Sequence, residues 1–95
     1  MSLTKVFNVC VDYSQIPPHL YGKRSREVEQ DISQLAKKEK VSVTFHKFAD
    51  EGIVGGAPAV LVEMPADFAD KVKKITHVTG LNAPDLPTRP RTPKV

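Results

Sequence analysis

The 95-residue sequence predicts a small α+β domain, and three features support that prediction. Residues 5–13 and 41–48 alternate apolar and polar side chains, which is the period of a half-buried β-strand. Between them, residues 25–40 place apolar side chains at the helical positions i, i+4, i+7 and i+8. A third strand and a second helix follow, so helices and strands share one short chain.

The first strand and the first helix have the clearest patterns. Phe7, Val9 and Val11 fall on one face of the strand, which we expect to be its buried face. Ser25 is the expected N-cap of the helix. The buried stripe of the helix consists of apolar residues at helical spacing: Val28, Ile32, Leu35 and Ala36.

The second and third strands are joined by a glycine-rich connection. Alternation in the second strand predicts that Phe45 faces inward and that His46 faces solvent or a partner. Residues 50–58 contain three glycines and are expected to form a long, flexible hairpin connection. The hairpin makes residues 59–64, the third strand, an antiparallel neighbour of the second.

A second helix completes the order β-α-β-β-α. Pro65 opens it where a missing N–H costs nothing, His77 lies in its last turn, and Gly80 caps its end. The first helix implies a crossover to a parallel neighbouring strand. With both helices on one face of a mainly antiparallel sheet, this order predicts a ferredoxin-like sandwich. Whether a fourth strand forms stays open, and residues 76–82 or the early tail would supply it, at an edge because of Pro84.

Four prolines at a spacing of three mark the predicted end of the domain. They are Pro84, Pro87, Pro90 and Pro93. Because this spacing puts them on one edge of a polyproline II helix, we place the domain at residues 1–81 and a proline-rich extended tail at 82–95. Residues 84–89 have the form P-x-x-P-x-R, which suits aromatic grooves that bind proline ridges, and a stiff, solvated tail is the alternative.

Charge and cysteine content narrow the class of protein. The net charge of +3 arises partly in the tail, so the folded part is close to neutral and nucleic acid is not expected as a partner. Cys10 is the single cysteine, which excludes an intrachain disulfide and favours a reducing, cytoplasmic location. The N-terminus lacks the pattern of a signal peptide, and no apolar run approaches the length of a membrane span.

The sequence contains no catalytic or metal-binding signature, so we predict no catalytic residues, no metal and no cofactor. The three histidines lack the paired spacing of zinc sites: His19, His46 and His77. Cys10 has no CxxC partner or neighbouring base and is interpreted as a small apolar strand residue. The glycines of residues 50–58 join strand to strand, whereas a phosphate loop leads from a strand into a helix.

Residues 16–21 form an unusually apolar connection between the first strand and the first helix. They either fold over the end of the sheet or form a contact patch, and the sequence leaves both open. Together with the tail, this loop provides the predicted partner-binding residues. They are Ile16, Leu20, Tyr21, Pro84, Leu86, Pro87 and Arg89.

Residues 46–81 combine an aromatic strand end, a Gly-Gly loop, an alternating third strand and a Pro-led helix followed by valine. The positions are Phe48, Gly55, Gly56, Val60, Val62, Pro65, Phe68, Val72, Ile75 and Val78. This half of the chain resembles the subtilisin-propeptide and proteinase-inhibitor family of β-α-β-β-α-β modules. The resemblance implies that the open sheet face docks on a protease and that residues 82–89 run through its active-site cleft.

Three functional hypotheses follow. The leading one is a noncatalytic protein-binding module that uses the sheet face, the 16–21 loop and the tail, and whose free sheet edge allows a homodimer. The second is an inhibitor or propeptide-like chaperone of a subtilisin-type protease. The third is a small dimeric enzyme of the ferredoxin-like barrel type, with a pocket that contains His46, Tyr13 or His19.

Overall fold

A computed structural model describes residues 4–48, 59–85 and 87–91, and it confirms the α+β class. In chain order the elements are β1 (Thr4–Val11), a 3-10 turn (Pro18–Leu20), α1 (Tyr21–Glu39), β2 (Thr44–Phe48), β3 (Val60–Pro65), α2 (Ala66–Val72), β4 (Val78–Asn82) and β5 (Thr88–Pro90). The predicted glycine-rich connection at residues 50–58 lies outside the described residues.

The five strands form one sheet in the order β4-β1-β3-β2-β5, and all four neighbouring pairs are antiparallel. β1 and β2 both run antiparallel to β3, so they are parallel to each other, but β3 lies between them. The strands that the crossover joins are parallel, as predicted, but the prediction that they are neighbours in the sheet is wrong. The crossover leaves a space one strand wide, and β3 returns into that space.

Both helices pack on one face of the sheet. The buried apolar core joins residues from α1, α2, β1 and β3: Val9, Val28, Ile32, Ala36, Val60, Val62, Met64, Phe68, Ala69 and Val72. Alternate residues of β3 point into this core because successive side chains of a strand point to opposite faces. The helical stripe predicted for α1 is confirmed, with Leu35 packed at its margin.

α1 begins one turn earlier than its apolar spacing predicts. It starts at Tyr21, directly after the 3-10 turn, so Ser25 lies inside the helix and the N-cap prediction is wrong. The Ser25 hydroxyl donates to the carbonyl of Gly22 at 2.8 Å, which is the bond of a serine within a helix rather than of a cap. α1 ends at Glu39, and its C-cap, Lys40, adopts the left-handed conformation with φ of 58°.

α2 is shorter than predicted because the residues after it turn back to pair with β1. The helix ends at Val72, so His77 is outside it, with φ of 75°. The His77 carbonyl accepts the backbone N–H of Asp12 at 2.8 Å. Gly80 lies within β4, opposite Cys10, and does not cap the helix. Both helix-end predictions, for His77 and for Gly80, are therefore wrong, and the open fourth strand forms at residues 78–82.

A fifth strand, which the sequence did not predict, forms within residues 82–95. Thr88 pairs with Phe48 and Pro90 pairs with His46, so β5 extends the sheet beyond β2. β4 and β5 are the two opposite edges of the sheet. The chain therefore passes from one edge to the other within the five residues between Asn82 and Thr88.

Candidate binding surfaces

The connection between β4 and β5 joins the two opposite edges of the sheet. Four strand intervals separate the two edges, which is about 19 Å at ordinary strand spacing. Six Cα steps join Asn82 to Thr88, and they reach about 20–22 Å when fully extended. Because the helices fill the other face and the connection is too short to run around the end of the sheet, we infer that it crosses the face that the helices leave open. It has little extra length for that crossing.

Two residues on this helix-free face are buried. The exposed fraction is 1% for Leu61 and 6% for His46. The two residues are cross-strand neighbours in a row that runs over four strands: Asn8, Leu61, His46 and Pro90. His46 is on the face opposite to the core, as alternation predicts, but it does not face solvent, so that part of the prediction is wrong. Side chains on a sheet face remain exposed to solvent only where no other part of the protein covers them.

His46 pairs with a carboxylate on the neighbouring strand. Its Nε2 lies 3.0 Å from Oε1 of Glu63, and Oε2 of the same carboxylate accepts the Thr4 hydroxyl at 3.0 Å. Hydrogen bonds from His46 and then from Thr4 hold the pKa of Glu63 below its usual value. The other ring nitrogen of His46, Nδ1, is buried and has no hydrogen-bond partner among the described residues.

Cys10 is half-buried near the β1–β4 edge. Its Sγ accepts the side-chain amide of Asn82 at 3.1 Å, and its carbonyl accepts the Thr79 hydroxyl at 3.3 Å. An amide and a hydroxyl are not bases that would activate a thiol. The arrangement explains how β4 is held on β1 and adds no chemistry at Cys10.

The apolar loop predicted at residues 16–21 starts from a turn that the Asp12 carboxylate stabilises. Oδ1 of Asp12 accepts the Ser14 hydroxyl at 2.6 Å and the Ser14 backbone N–H at 2.9 Å. These two bonds lower the pKa of Asp12. Arg24 of α1 donates to the Asp12 carbonyl at 2.7 Å, which ties the turn to the start of the helix.

The loop then presents a half-buried apolar surface, which we call the 16–21 patch. Tyr21 packs against Tyr13 with ring centroids 4.7 Å apart and planes tilted by 38°. Burial is the main cause that raises the pKa of Tyr13. Ile16 and Leu20, each half-buried, line a shallow hollow of about 140 Å³. The same hollow is bordered by charged residues of α1: Lys23, Arg24 and Glu27.

The predicted tail residues lie at other places in the fold. Pro84 is half-buried in the β4–β5 connection, Pro87 is exposed, and Arg89 lies in β5 opposite Lys47. Leu86 lies outside the described residues. The structure does not bring the two predicted groups together, because the patch follows β1 whereas β5 is separated from β1 by two strands.

The residues that anchor β5 have no signal in the sequence pattern. The Arg91 guanidinium donates two parallel hydrogen bonds to the Glu29 carboxylate of α1, at 3.1 and 2.6 Å. The exposed fraction of the Glu29 side chain is 17%. The guanidinium also lies 5.6 Å from the ring centre of Phe45, and the Arg91 N–H donates to the Phe45 carbonyl at 3.0 Å. The Arg91–Glu29 pair links positions 62 residues apart, which no local sequence pattern reveals.

The histidines and tyrosine of the enzyme hypothesis are held in different surroundings. His19 is exposed in the 3-10 turn, Tyr13 packs on Tyr21, and His46 is buried beside Glu63. Within residues 4–48, 59–85 and 87–91, no three His, Cys, Asp or Glu side chains are grouped so as to hold a metal ion. In the same part of the chain, no helix has the length and apolar character needed to cross a membrane.

Comparisons with protein-family models, with curated proteins and with solved structures gave no match to this chain. The resemblance to the propeptide and inhibitor family therefore stays a prediction.

Proposed function

We propose that the chain is a noncatalytic protein-binding module and that the 16–21 patch is its contact surface. The observation that supports this proposal is the position of Ile16, Leu20 and Tyr21, which are only half-buried although all three are large and apolar or aromatic. A loop that folded over the sheet as a plug would bury such side chains. Apolar groups left at a surface around a hollow are typical of protein contact sites.

The chemistry of the patch favours a partner with one apolar anchor and a polar margin. The hollow accepts a side chain of modest size, while Lys23, Arg24 and Glu27 border it with both signs of charge. Interfaces commonly have this arrangement of an apolar centre inside a polar rim. The ring pair of Tyr13 and Tyr21 extends the contact area at little cost in side-chain entropy, because tyrosine has few rotatable bonds.

We also propose that β1 to β4 with the two helices form a ferredoxin-like domain, to which β5 is added. Two observations support this: the order β-α-β-β-α-β along the chain, and the antiparallel arrangement β4-β1-β3-β2. In this fold the helices share one face of the sheet, as α1 and α2 do here. The fold accommodates many functions, so the proposal for binding rests on the patch and not on the fold.

The test is affinity capture with the full chain as bait and two substitutions that separate the patch from the rest of α1. Leu20→Asp places a charge in the hollow, and we expect it to reduce capture of a specific partner by at least about tenfold, because a buried unpaired charge opposes association. Gln34→Asp adds the same charge to an exposed position of α1 and serves as the matched control. Both variants are first checked for folding by circular dichroism. Equal capture by wild type and Leu20→Asp would contradict the proposal.

The other hypotheses remain predictions. An inhibitor would need residues 82–89 as a free, substrate-like strand, and Thr88 and Arg89 pair with β2 in the described structure. A homodimer through a sheet edge would use β4, whose sequence from Val78 to Asn82 contains no charged residue and no proline to oppose pairing. Light scattering on the purified chain measures the oligomeric state directly.

A further inference from the structure

The outer edge of β2 with Glu29 and Phe45 is a site that holds one particular segment, residues 88–91. The segment is bound in three ways: by strand pairing with β2, by the two-bond Arg91–Glu29 ion pair, and by the contact of the guanidinium with the Phe45 ring. A planar guanidinium binds a carboxylate through two parallel hydrogen bonds and stacks on an aromatic ring, and a lysine ammonium cannot replace it in such a site. The site thus selects an extended segment with arginine at its end.

The bound segment behaves as a separable unit. The contacts of β5 and Arg91 described above are all with residues at least 40 positions earlier in the chain, on β2 and α1. Pro87 and Pro90 restrict the backbone on either side of Thr88 and Arg89, so the segment loses little conformational entropy when it docks. Nothing in these contacts requires that the segment and the site belong to the same molecule.

The connection to β5 disfavours binding within one molecule. The five residues between Asn82 and Thr88 have to span about 19 Å with a reach of about 20–22 Å, so few conformations satisfy both ends. Short connections under such constraint favour exchange of the attached element between two molecules, because the contacts of that element are kept and the constraint on the connection is released.

We propose that two copies of this chain exchange their C-terminal strands, with β5 of each copy paired to β2 of the other and Arg91 of each copy bound to Glu29 of the other. The occupant is a second copy because the contacts seen here, from Thr88 opposite Phe48 to Arg91 on Glu29, are reproduced by that copy residue for residue. The proposal does not depend on the 16–21 patch, which is on a different part of the molecule.

The decisive experiment uses two full-length charge-reversal variants, Glu29→Arg and Arg91→Glu. Each variant alone sets like charges against each other, whether the strand docks on its own molecule or on an identical copy. In a mixture, a strand-exchanged heterodimer restores both pairs. The unchanged Arg91 of the first variant meets the unchanged Glu29 of the second, and the two substituted side chains form the same pair with the charges reversed. The double variant Glu29→Arg with Arg91→Glu restores the pair within one molecule and is the control for folding.

We expect the mixture, co-refolded from denaturant at high protein concentration, to contain a species of twice the 10.5-kDa mass that contains one copy of each variant. Native mass spectrometry with one variant isotope-labelled identifies it. The amount of heterodimer should exceed that of either homodimer by at least about tenfold, the effect of one well-formed charge-assisted pair. A mixture that contains only 10.5-kDa species, or homodimers and heterodimers in statistical ratio, would overturn the proposal.

A second variant keeps the proposal falsifiable if the charge reversals prevent folding. Deletion of Ala83 leaves five Cα steps, which reach at most about 17–18 Å and fall short of the opposite edge. We expect this variant to be a dimer in which the Arg91 amide remains protected from hydrogen exchange by the Phe45 carbonyl. Insertion of one glycine after Ala83 is the matched control and should shift the equilibrium toward monomer. A monomeric deletion variant, with the Arg91 amide protected or not, would overturn the proposal.

Discussion

At the scale of single residues, His46 is the side chain whose environment differs most from an ordinary strand position. Its Nε2 has Glu63 as partner, but its Nδ1 is buried with no hydrogen-bond partner among the described residues. A buried polar atom without a partner costs about 1–3 kcal/mol, so His46 contributes less to stability than its burial implies. The bond to Glu63 is then what makes burial of the ring tolerable.

This gives a prediction for the pair. Glu63→Ala removes the partner of Nε2 and leaves both ring nitrogens of His46 without a hydrogen-bond partner among the described residues, so we expect a loss of about 1–3 kcal/mol in the free energy of unfolding. His46→Leu removes the polar ring, and in that background Glu63→Ala should cost much less. Urea unfolding of the four chains measures the coupling. If Glu63→Ala costs the same in both backgrounds, the pair is not coupled and the interpretation is wrong.

The sequence predicts residue environments only as far as local periodicity determines them. It correctly placed Val28, Ile32 and Ala36 in the core and His46 on the opposite face. It did not predict that His46 is buried, because alternation indicates on which face of a strand a side chain lies and not what covers that face. It also placed Ser25 as a cap, since an alternative helix start at Tyr21 has no capping side chain to mark it.

At the scale of elements, an ion pair joins the end of α1 to α2. Lys71 of α2 donates to Glu39, the last residue of α1, and this hydrogen bond is the main cause that lowers the pKa of Glu39 from its ordinary value of 4.5. A carboxylate with a lowered pKa stabilises the folded state above its unfolded pKa. That contribution is lost as the pH falls through the lower folded value.

We therefore expect Glu39→Gln to be less stable than wild type at pH 7, by a small amount because the pair is exposed, and the difference to vanish as the pH falls from 4.5 toward 2. Urea midpoints at several pH values measure this difference. Lys71→Met serves as the control background, in which Glu39→Gln should have a smaller effect that depends less on pH, because only the weaker interaction of Glu39 with Lys38 remains. A difference that persists at pH 2 would exclude the ion pair as its cause.

The elements themselves were predicted to different degrees. α1, β1 and β2 have apolar periods of 3.6 or 2, and the structure contains all three together with the predicted third strand. β5 was not predicted because Thr88–Pro90 has no period and contains a proline, which strands accept only at edges. The anchoring site at Glu29 and Phe45 was missed for the same reason, since it exists only once β5 is in place.

At the scale of the whole molecule, the connection from β4 to β5 makes residues 88–90 part of the sheet. It joins the two edges, and Leu61 and His46 are buried on the face that the helices leave open. The composition of the chain instead suggests a domain that ends at residue 81 with a solvated tail. The two interpretations differ in what residues 82–95 contribute to folding, and this difference is measurable.

We expect a chain that stops at Leu81 to lose at least about 2 kcal/mol of unfolding free energy relative to the full chain, since exposure of one buried leucine alone costs about 1.5–3 kcal/mol. Leu61 would be exposed in this way, together with the outer edge of β2. Urea unfolding at low protein concentration measures the loss, because exchange between copies is then suppressed. The full chain with Arg91→Ala is the control, which retains the connection and loses only the ion pair. Equal stability of the shortened and full chains would show that residues 1–81 fold independently, as the composition indicates.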